Sequence, residues 1–365
     1  MLGPALKFID GNHVLFNGEK LLFFGGTDYH GLSNYHLIKS AISDSVKKYG
    51  LSSTGSRVTT GNHPLYSELE QKLANFLGTE SAVVCSSGYL SDIILLQAIG
   101  KDFDILLIDK LAHSSIVDAA KQCEKKIVFY QHVEAQSLAD QLTKHLKLSS
   151  KFLIMTDGVF PSRGEIPPLK EYLEIIGKYD GRILVDDAHA MAVVGKTGKG
   201  SWEEEGIERK VVYQTGTMSK GFGVFGGIIS GDYALMNRIY KHSLAFIGST
   251  GLAIPIVSAA IQSVSFIQSH LNIIKDLQEK SLLIKKKIKQ LGLDTPQSPT
   301  PIVSITHYDD MKNKRLYQLL LKNGIYPPFV KYPGAPSGGH FRFALSNLHT
   351  QKQIDLLYET IESSL

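Results

Sequence analysis

Short apolar runs recur along the middle of the chain, at Ala82-Val83-Val84-Cys85, Ile105-Leu106-Leu107-Ile108, Ile127-Val128-Phe129-Tyr130, Phe152-Leu153-Ile154-Met155 and Ile183-Leu184-Val185, with helical patterns between them. Runs of this length and β-branched character suit strands covered on both faces. Strands separated by helices pair in parallel, because the helix carries the chain back to the starting edge. The alternation therefore predicts an α/β fold built on a mainly parallel sheet with helices on both faces. Val211-Val212-Tyr213 and the small-residue run Gly226-Gly227-Ile228-Ile229-Ser230 are further strand candidates, where the chain could reverse and form an antiparallel edge.

The flanks differ in texture. Residues 6–26 read as short strands broken by turns, with Asn17-Gly18 as a hairpin signal between Val14-Leu15-Phe16 and Leu21-Leu22-Phe23-Phe24. After a glycine-rich stretch, Pro64 suits a first helical position; Leu65, Leu69, Leu73, Phe76 and Leu77 repeat at helical spacing, and Gly78 ends the helix. Beyond about residue 268 an amphipathic helix near 271–291 leads into a strand near 301–305, a helix near 314–323, a strand near 341–345 and a terminal helix. With 365 residues to divide, the expected segments are an N-terminal hairpin segment (1–35), a large domain (36–268) and a small α/β domain (269–365).

Composition narrows the class. A hydrophobic fraction of 43% supports a large core, and a net charge of +4 is small for this length. The run Lys285-Lys286-Lys287 lies on a helical pattern and reads as a solvated face rather than a nucleic-acid patch. Cys85 and Cys123 have no metal-like spacing and read as reduced thiols. No secretory signal and no uncharged apolar stretch near the ~20 residues of a bilayer span are visible, so a cytoplasmic protein is expected.

The chemistry concentrates at strand ends. Ile183-Leu184-Val185 runs into Asp186-Asp187-Ala188-His189, and Tyr213-Gln214-Thr215-Gly216-Thr217-Met218-Ser219-Lys220-Gly221-Phe222-Gly223 sets one lysine on a glycine-flanked turn. In open α/β sheets, functional groups gather at the carboxyl ends of strands. A lysine that can hold an aldehyde as an imine, with a carboxylate that can hold a ring nitrogen protonated, is the pair that pyridoxal phosphate chemistry needs. Ser86-Ser87-Gly88-Tyr89 follows a strand and opens a helix, an arrangement that binds anions or serves as an ordinary cap. Thr217 and Ser219 could add hydroxyls there. His113 could stack on a planar ring or cap the next helix. Arg342, inside Phe341-Arg342-Phe343, could anchor a substrate carboxylate or point to solvent at a strand edge.

Together these segments resemble the α-oxoamine synthases, pyridoxal-phosphate enzymes of the aspartate-aminotransferase fold (fold type I). The resemblance runs from Thr27-Asp28-Tyr29-His30-Gly31-Leu32-Ser33 to the Arg342 strand and includes Gly55-Ser56-Arg57 and Thr156-Asp157-Gly158-Val159-Phe160. It implies condensation of an amino acid with an acyl thioester, from coenzyme A or a carrier protein, with loss of carbon dioxide. It implies Lys220 as the imine lysine, Asp186 as the pyridinium partner, His189 on the phenolic oxygen and His113 as the stacking ring. Ser87, Gly88, Tyr89, Thr217 and Asp157 complete the cofactor set. Ser249 and Thr250 would reach the phosphate of a neighbouring subunit, which implies a homodimer with shared sites. Arg342, Thr27 and His30 would shape the substrate pocket.

The sequence departs from the family pattern at Thr27 and His30 (an asparagine and a leucine in the family), at Pro161 (a serine), at Tyr66 (a histidine) and at Ala253-Ile254. Within the family the reading favours alanine joined to a pimeloyl thioester in biotin synthesis. Glycine with acetyl, serine with a long acyl chain, and long-chain signal synthesis are the alternatives. A non-catalytic partner subunit of the same fold and an aminotransferase also stay open.

Overall fold

The computed structural model describes residues 3–145, 150–177, 179, 181–307, 309–331 and 338–365. Strands β1 (Lys7–Asp10), β2 (His13–Phe16) and β3 (Glu19–Leu22) form an antiparallel meander. Asn17 and Gly18 both take positive φ (50° and 86°), as the tight β2–β3 hairpin requires. Val14 and Leu21 face each other across it and are buried.

The central sheet comprises β4 (Ser81–Cys85), β5 (Ile105–Asp109), β6 (Lys126–Tyr130), β7 (Phe152–Asp157), β8 (Gly181–Asp186), β9 (Val212–Thr217) and β10 (Gly227–Gly231). Their order is β4-β10-β9-β8-β7-β5-β6. Only β10 runs antiparallel, and it pairs with both β4 and β9. The expected reversal is therefore present, but not at an edge: β4 covers the far side of β10 and occupies the edge itself. Alternate residues feed two cores. Val83, Leu106, Ile108, Met155, Leu184 and Ile229 pack on one face, and Ile105, Leu107, Ile154, Ile183 and Val185 on the other. Burial on both faces explains why these strands read as continuous apolar runs instead of alternating ones.

A third sheet, β11 (Ile302–Ile305), β12 (Phe329–Val330) and β13 (His340–Ala344), has order β11-β13-β12. It packs with helices Asn272–Gln290, Asp310–Lys322 and Gln351–Glu362, and Leu22, Phe24 and Tyr29 from the N-terminal segment join the same core. Among the described residues no single helix is long and apolar enough to cross a membrane.

The lysine run corrects one expectation. Lys285 is not solvated; it is fully buried. Its Nζ donates to Thr300 O at 2.7 Å, Ser298 O at 2.9 Å and both hydroxyls at 3.0 Å. Leu277, Ser281, Ile284 and Ile288 are the buried positions of this helix, and Lys285 falls on the same stripe. Burial pushes its ammonium down to about 7, while nearby Glu165 pulls the other way.

Candidate active site

The register brings the strand ends to one edge. Asp157 pairs with Asp186, Asp186 with Thr215, and Gly227 with both Thr217 and Cys85. Asp157, Asp186 and Thr217 thus end neighbouring strands, and Ser87 lies two residues past the end of β4. The lysine turn is pinned by backbone bonds from Met218 N–H to Gly226 O (2.8 Å) and from Gly223 N–H to Lys220 O (2.9 Å). Gly223 has φ +63°, and a Cβ there would stand 2.7 Å from the Ser33 nitrogen. Only glycine lets this turn close against the N-terminal segment.

Lys220, Asp186, His189, His113, Asp157 and Arg342 come from five separate stretches and share one electrostatic cluster. Burial lowers the basicity of Lys220; Asp186, then Asp157, raise it, Arg342 lowers it, and Asp92 raises it. His189 is held well below its ordinary value by burial first, then by Lys220, Arg342 and His113. It is therefore a neutral imidazole. Tyr29 is fully buried, its phenol pushed up by that burial, and its OH lies 2.7 Å from His189 Nδ1. A protonated phenol donates to Nδ1, which leaves the ring proton on Nε2 as a donor for a ligand.

Asp186 Oδ1 accepts the Ala188 N–H at 2.9 Å. Asp157 Oδ2 accepts the backbone N–H of His113 at 2.8 Å and so sets the start of helix Ser114–Lys121. His113 Nδ1 accepts the Ser115 N–H at 3.3 Å, so this histidine does cap that helix. The same ring still lies close enough to feel Asp186 and Lys220. Arg342 sits on the central strand of its sheet, not at an edge, and its Nε donates to the carbonyl of Pro161.

Helix Gly88–Ile99 starts directly after β4 with no side-chain cap on Ser87. A Cβ on Gly88 would come within 2.7 Å of Thr217 Cβ and 3.0 Å of its hydroxyl, so the backbone and the threonine meet only because residue 88 has no side chain. The Thr217 hydroxyl lies 3.0 Å from Ser219 Oγ. A bare helix start, two hydroxyls, a half-buried amine and a strand-end carboxylate are the donor set that an anionic, aldehyde-bearing pyridine ring needs, and the residues present fit it.

Four predicted residues stand elsewhere. Ser249 and Thr250 line a small cavity with Arg57, Cys85 and Ser86, outside the Lys220 cluster of their own chain. Thr27 borders a cavity of about 550 Å³ with Asp28, Ser219 and Gly223. His30 is buried with both nitrogens engaged, Nε2 with Ala192 O at 2.6 Å and Nδ1 with Asn347 Nδ2 at 2.8 Å. With one nitrogen donating and the other accepting inside the protein, this ring has no polar atom left for a substrate. His30 braces the segment instead.

Two residues escaped the sequence reading. Tyr29 was hidden as an aromatic in a core. Asp92 is fully buried one turn into helix Gly88–Ile99, with Thr215 Oγ1 donating to it at 2.6 Å. Burial and the Asp186 charge push its carboxyl well above the ordinary range. An aspartate amid Ile93-Ile94-Leu95-Leu96 was the available signal, because a carboxyl in an all-apolar helix must be neutral or partnered.

Residues 19–361 match the aminotransferase class I and II family. The 8-amino-7-oxononanoate synthase of Thermosipho melanesiensis is 31% identical over 359 residues, covering 98% of this chain and 92% of that protein. The solved serine palmitoyltransferase of Sphingomonas wittichii superposes with a TM-score of 0.91 at 26% identity, over 99% of this chain and 92% of that one. A high-resolution structure of SPT with PLP superposes at 0.90 with 25% identity, over 99% of this chain and 92% of that one.

Proposed function

The chain belongs to the aminotransferase class I and II family, on its α-oxoamine synthase branch, and we propose that it condenses L-alanine with a pimeloyl thioester to give 8-amino-7-oxononanoate and carbon dioxide. It is an acyltransferase of fold type I, and its cofactor is pyridoxal 5′-phosphate. The cofactor supplies an electron sink for charge developing at the amino acid α-carbon.

Arg342 binds the amino acid carboxylate, aided by the Pro161 carbonyl that holds its Nε. Lys220 Nζ, made less basic by burial, takes the α-proton. With the cofactor bound, Asp186 would hold its ring nitrogen protonated, His189 would donate from Nε2 to its phenolic oxygen, and His113 would stack on it. The amides of Gly88 and Tyr89 and the Thr217 hydroxyl would hold its phosphate. Ser249 and Thr250 serve the partner's phosphate in a homodimer.

The observation that carries this reading is the convergence of Lys220, Asp186, His189 and Arg342 on one cluster, with Asp186 and His189 buried and Lys220 and Arg342 partly open. Its test is a panel of amino acids against acyl thioesters, read by release of free thiol. Release with alanine and pimeloyl thioester, lost in Lys220→Ala together with the borohydride-sensitive yellow colour, is expected. Turnover retained in that variant would overturn the assignment. Amino exchange with a keto acid and no thioester would mean an aminotransferase.

One observation favours a second reading, serine with a long acyl chain. The cavity beside Thr27 has the apolar side chains Phe8, Ile9, Phe23 and Leu345 on its walls, and no lysine or arginine lines it among the described residues. A pimeloyl chain ends in a carboxylate that would seek such a cation. A thiol signal with serine and palmitoyl thioester, absent with pimeloyl, would select this reading.

A further inference from the structure

Behind the carboxylate edge, a one-way chain of hydrogen bonds crosses three strands. Arg209, just ahead of β9, donates from Nη2 to both Ser230 O and Ser230 Oγ at 2.8 Å, and from Nη1 to Val212 O. Ser230, fully buried on β10, donates from Oγ to Gln214 Oε1 at 2.9 Å. Gln214, fully buried on β9, donates from Nε2 to Asp187 Oδ2 at 2.6 Å and to Lys199 O at 2.9 Å. Asp187 Oδ1 also accepts Ser201 Oγ at 2.6 Å and Ser201 N–H at 3.2 Å.

Chemistry fixes the direction of this chain. Guanidinium only donates, so Ser230 must accept from it and pass its own proton to Gln214 Oε1. That turns the Gln214 amide nitrogen toward Asp187, which accepts from every neighbour. The backbone leaves room for it: a Cβ on Gly158 would lie 1.8 Å from Asp187 Oδ1, and one on Gly200 would lie 2.2 Å from Oδ2. Asp187 is also the pivot of the turn, since its N–H bonds Thr215 O and its carbonyl receives Ala190 and Met191.

We propose that Arg209, acting through Ser230 and Gln214, is the positioning residue that keeps Asp187 a carboxylate and thereby fixes the turn that presents Asp186 and His189. This rests on the reading of Asp186 and His189 as cofactor partners. The charged groups facing Asp187 are Asp186 on its own turn and Arg209 ahead of β9; helix Ser201–Glu204 and β9 present the neutral Ser201 and Gln214. Burial pushes Asp187 up to about 6, with Asp186 adding to the rise and the Ser201 and Gln214 donors opposing it. Arg209, lowered by burial to about 10, remains a cation at neutral pH.

The test measures thermal unfolding of the full chain, with and without pyridoxal phosphate, between pH 4 and 8. A carboxyl whose folded value lies above its unfolded one weakens the fold as pH rises through that window, then levels off. In the wild type the Asp187 contribution levels off above about pH 6. In Arg209→Met the levelling point moves up by about one pH unit or more. Arg209→Lys keeps the charge without the fork and recovers part of the shift. In an Asp187→Asn background, Arg209→Met produces no shift. Pyridoxal phosphate dissociation at pH 7 rises several-fold in Arg209→Met and does not rise further in the double variant. If Arg209→Met fails to fold, Ser230→Ala cuts the same chain and gives a smaller shift in the same direction. An unchanged profile in Arg209→Met, or the same shift with Asp187 replaced, would overturn the proposal. Failure of the wild type to bind pyridoxal phosphate would instead sink the functional reading, because the cofactor-free profile does not depend on it.

Discussion

Replacing Lys285 with methionine removes an amine from a wholly buried site and keeps an unbranched apolar stem. The wild-type ammonium has an ordinary value of 10.5 and a folded value of about 7. Folding therefore expels a proton wherever the pH lies between those two values. The unfolded chain binds more protons there, so stability rises with pH by about 1.4 kcal/mol per unit. Below about pH 7 both states are protonated and the dependence vanishes. From pH 7 to 9 the wild type should gain roughly 2–3 kcal/mol that Lys285→Met cannot gain. Urea unfolding of both proteins at pH 6, 7, 8 and 9 reads this directly, as a difference that is constant from 6 to 7 and then grows in favour of the wild type. Parallel curves from 7 to 9 would mean that Lys285 is protonated throughout, held by the Thr300 and Ser298 oxygens. The buried-amine argument would then fail.

Three other outcomes follow from the site. Tyr29→Phe removes the donor that fixes the His189 tautomer; unfolding should cost about 1–2 kcal/mol less, and kcat should fall roughly tenfold, which corresponds to about 1.4 kcal/mol of lost positioning. Arg342→Lys loses the planar fork but not the charge, so KM for the amino acid should rise about 10–100-fold with kcat less affected, as for the loss of a charged hydrogen bond. A Cβ at Gly223 meets both a left-handed φ and the Ser33 backbone, so Gly223→Ala should destabilise by about 2–4 kcal/mol, read as a lower unfolding midpoint.

Much of this architecture is legible in the residues, and the remainder fails for identifiable reasons. Strands β4, β5, β7 and β8 announce themselves because burial on both faces favours unbroken apolar runs, and edge strand β6 reads the same way although Phe129 is exposed. Their lateral order does not, because hydrogen-bond partners leave no mark on composition; hence the expectation that β10 would be an edge. Lys220 and Asp186 are readable because each stands at a strand end beside a turn. His30 misleads, since a histidine near a pocket and a histidine with both nitrogens tied inside are the same letter. Lys285 was readable in principle: Leu277, Ser281, Ile284 and Ile288 set a phase that includes it, but three consecutive lysines suggest solvent when the phase is not followed. Arg209 and Gln214 could not be paired from the sequence, because their connection runs through Ser230, a neighbour only once the sheet exists.

The pairing of β4 has a consequence for how the chain assembles. Among the described residues its one neighbour in the sheet is β10, which is synthesised long after it, once β5 to β9 have been made. Until Gly227–Gly231 leaves the ribosome, Ser81–Cys85 has no strand beside it; of the earlier residues, Glu70 Oε1 accepts the Val84 N–H and the Thr79 hydroxyl donates to Ser81 O, and the cradle at Gly88 cannot close on Thr217. The nascent protein carries a strand with no neighbour while residues 86–226 are being made, the interval in which such edges recruit other chains. Catalytic competence and protection from self-association would then arrive in the same late step, when one short strand slots between two that were waiting for it.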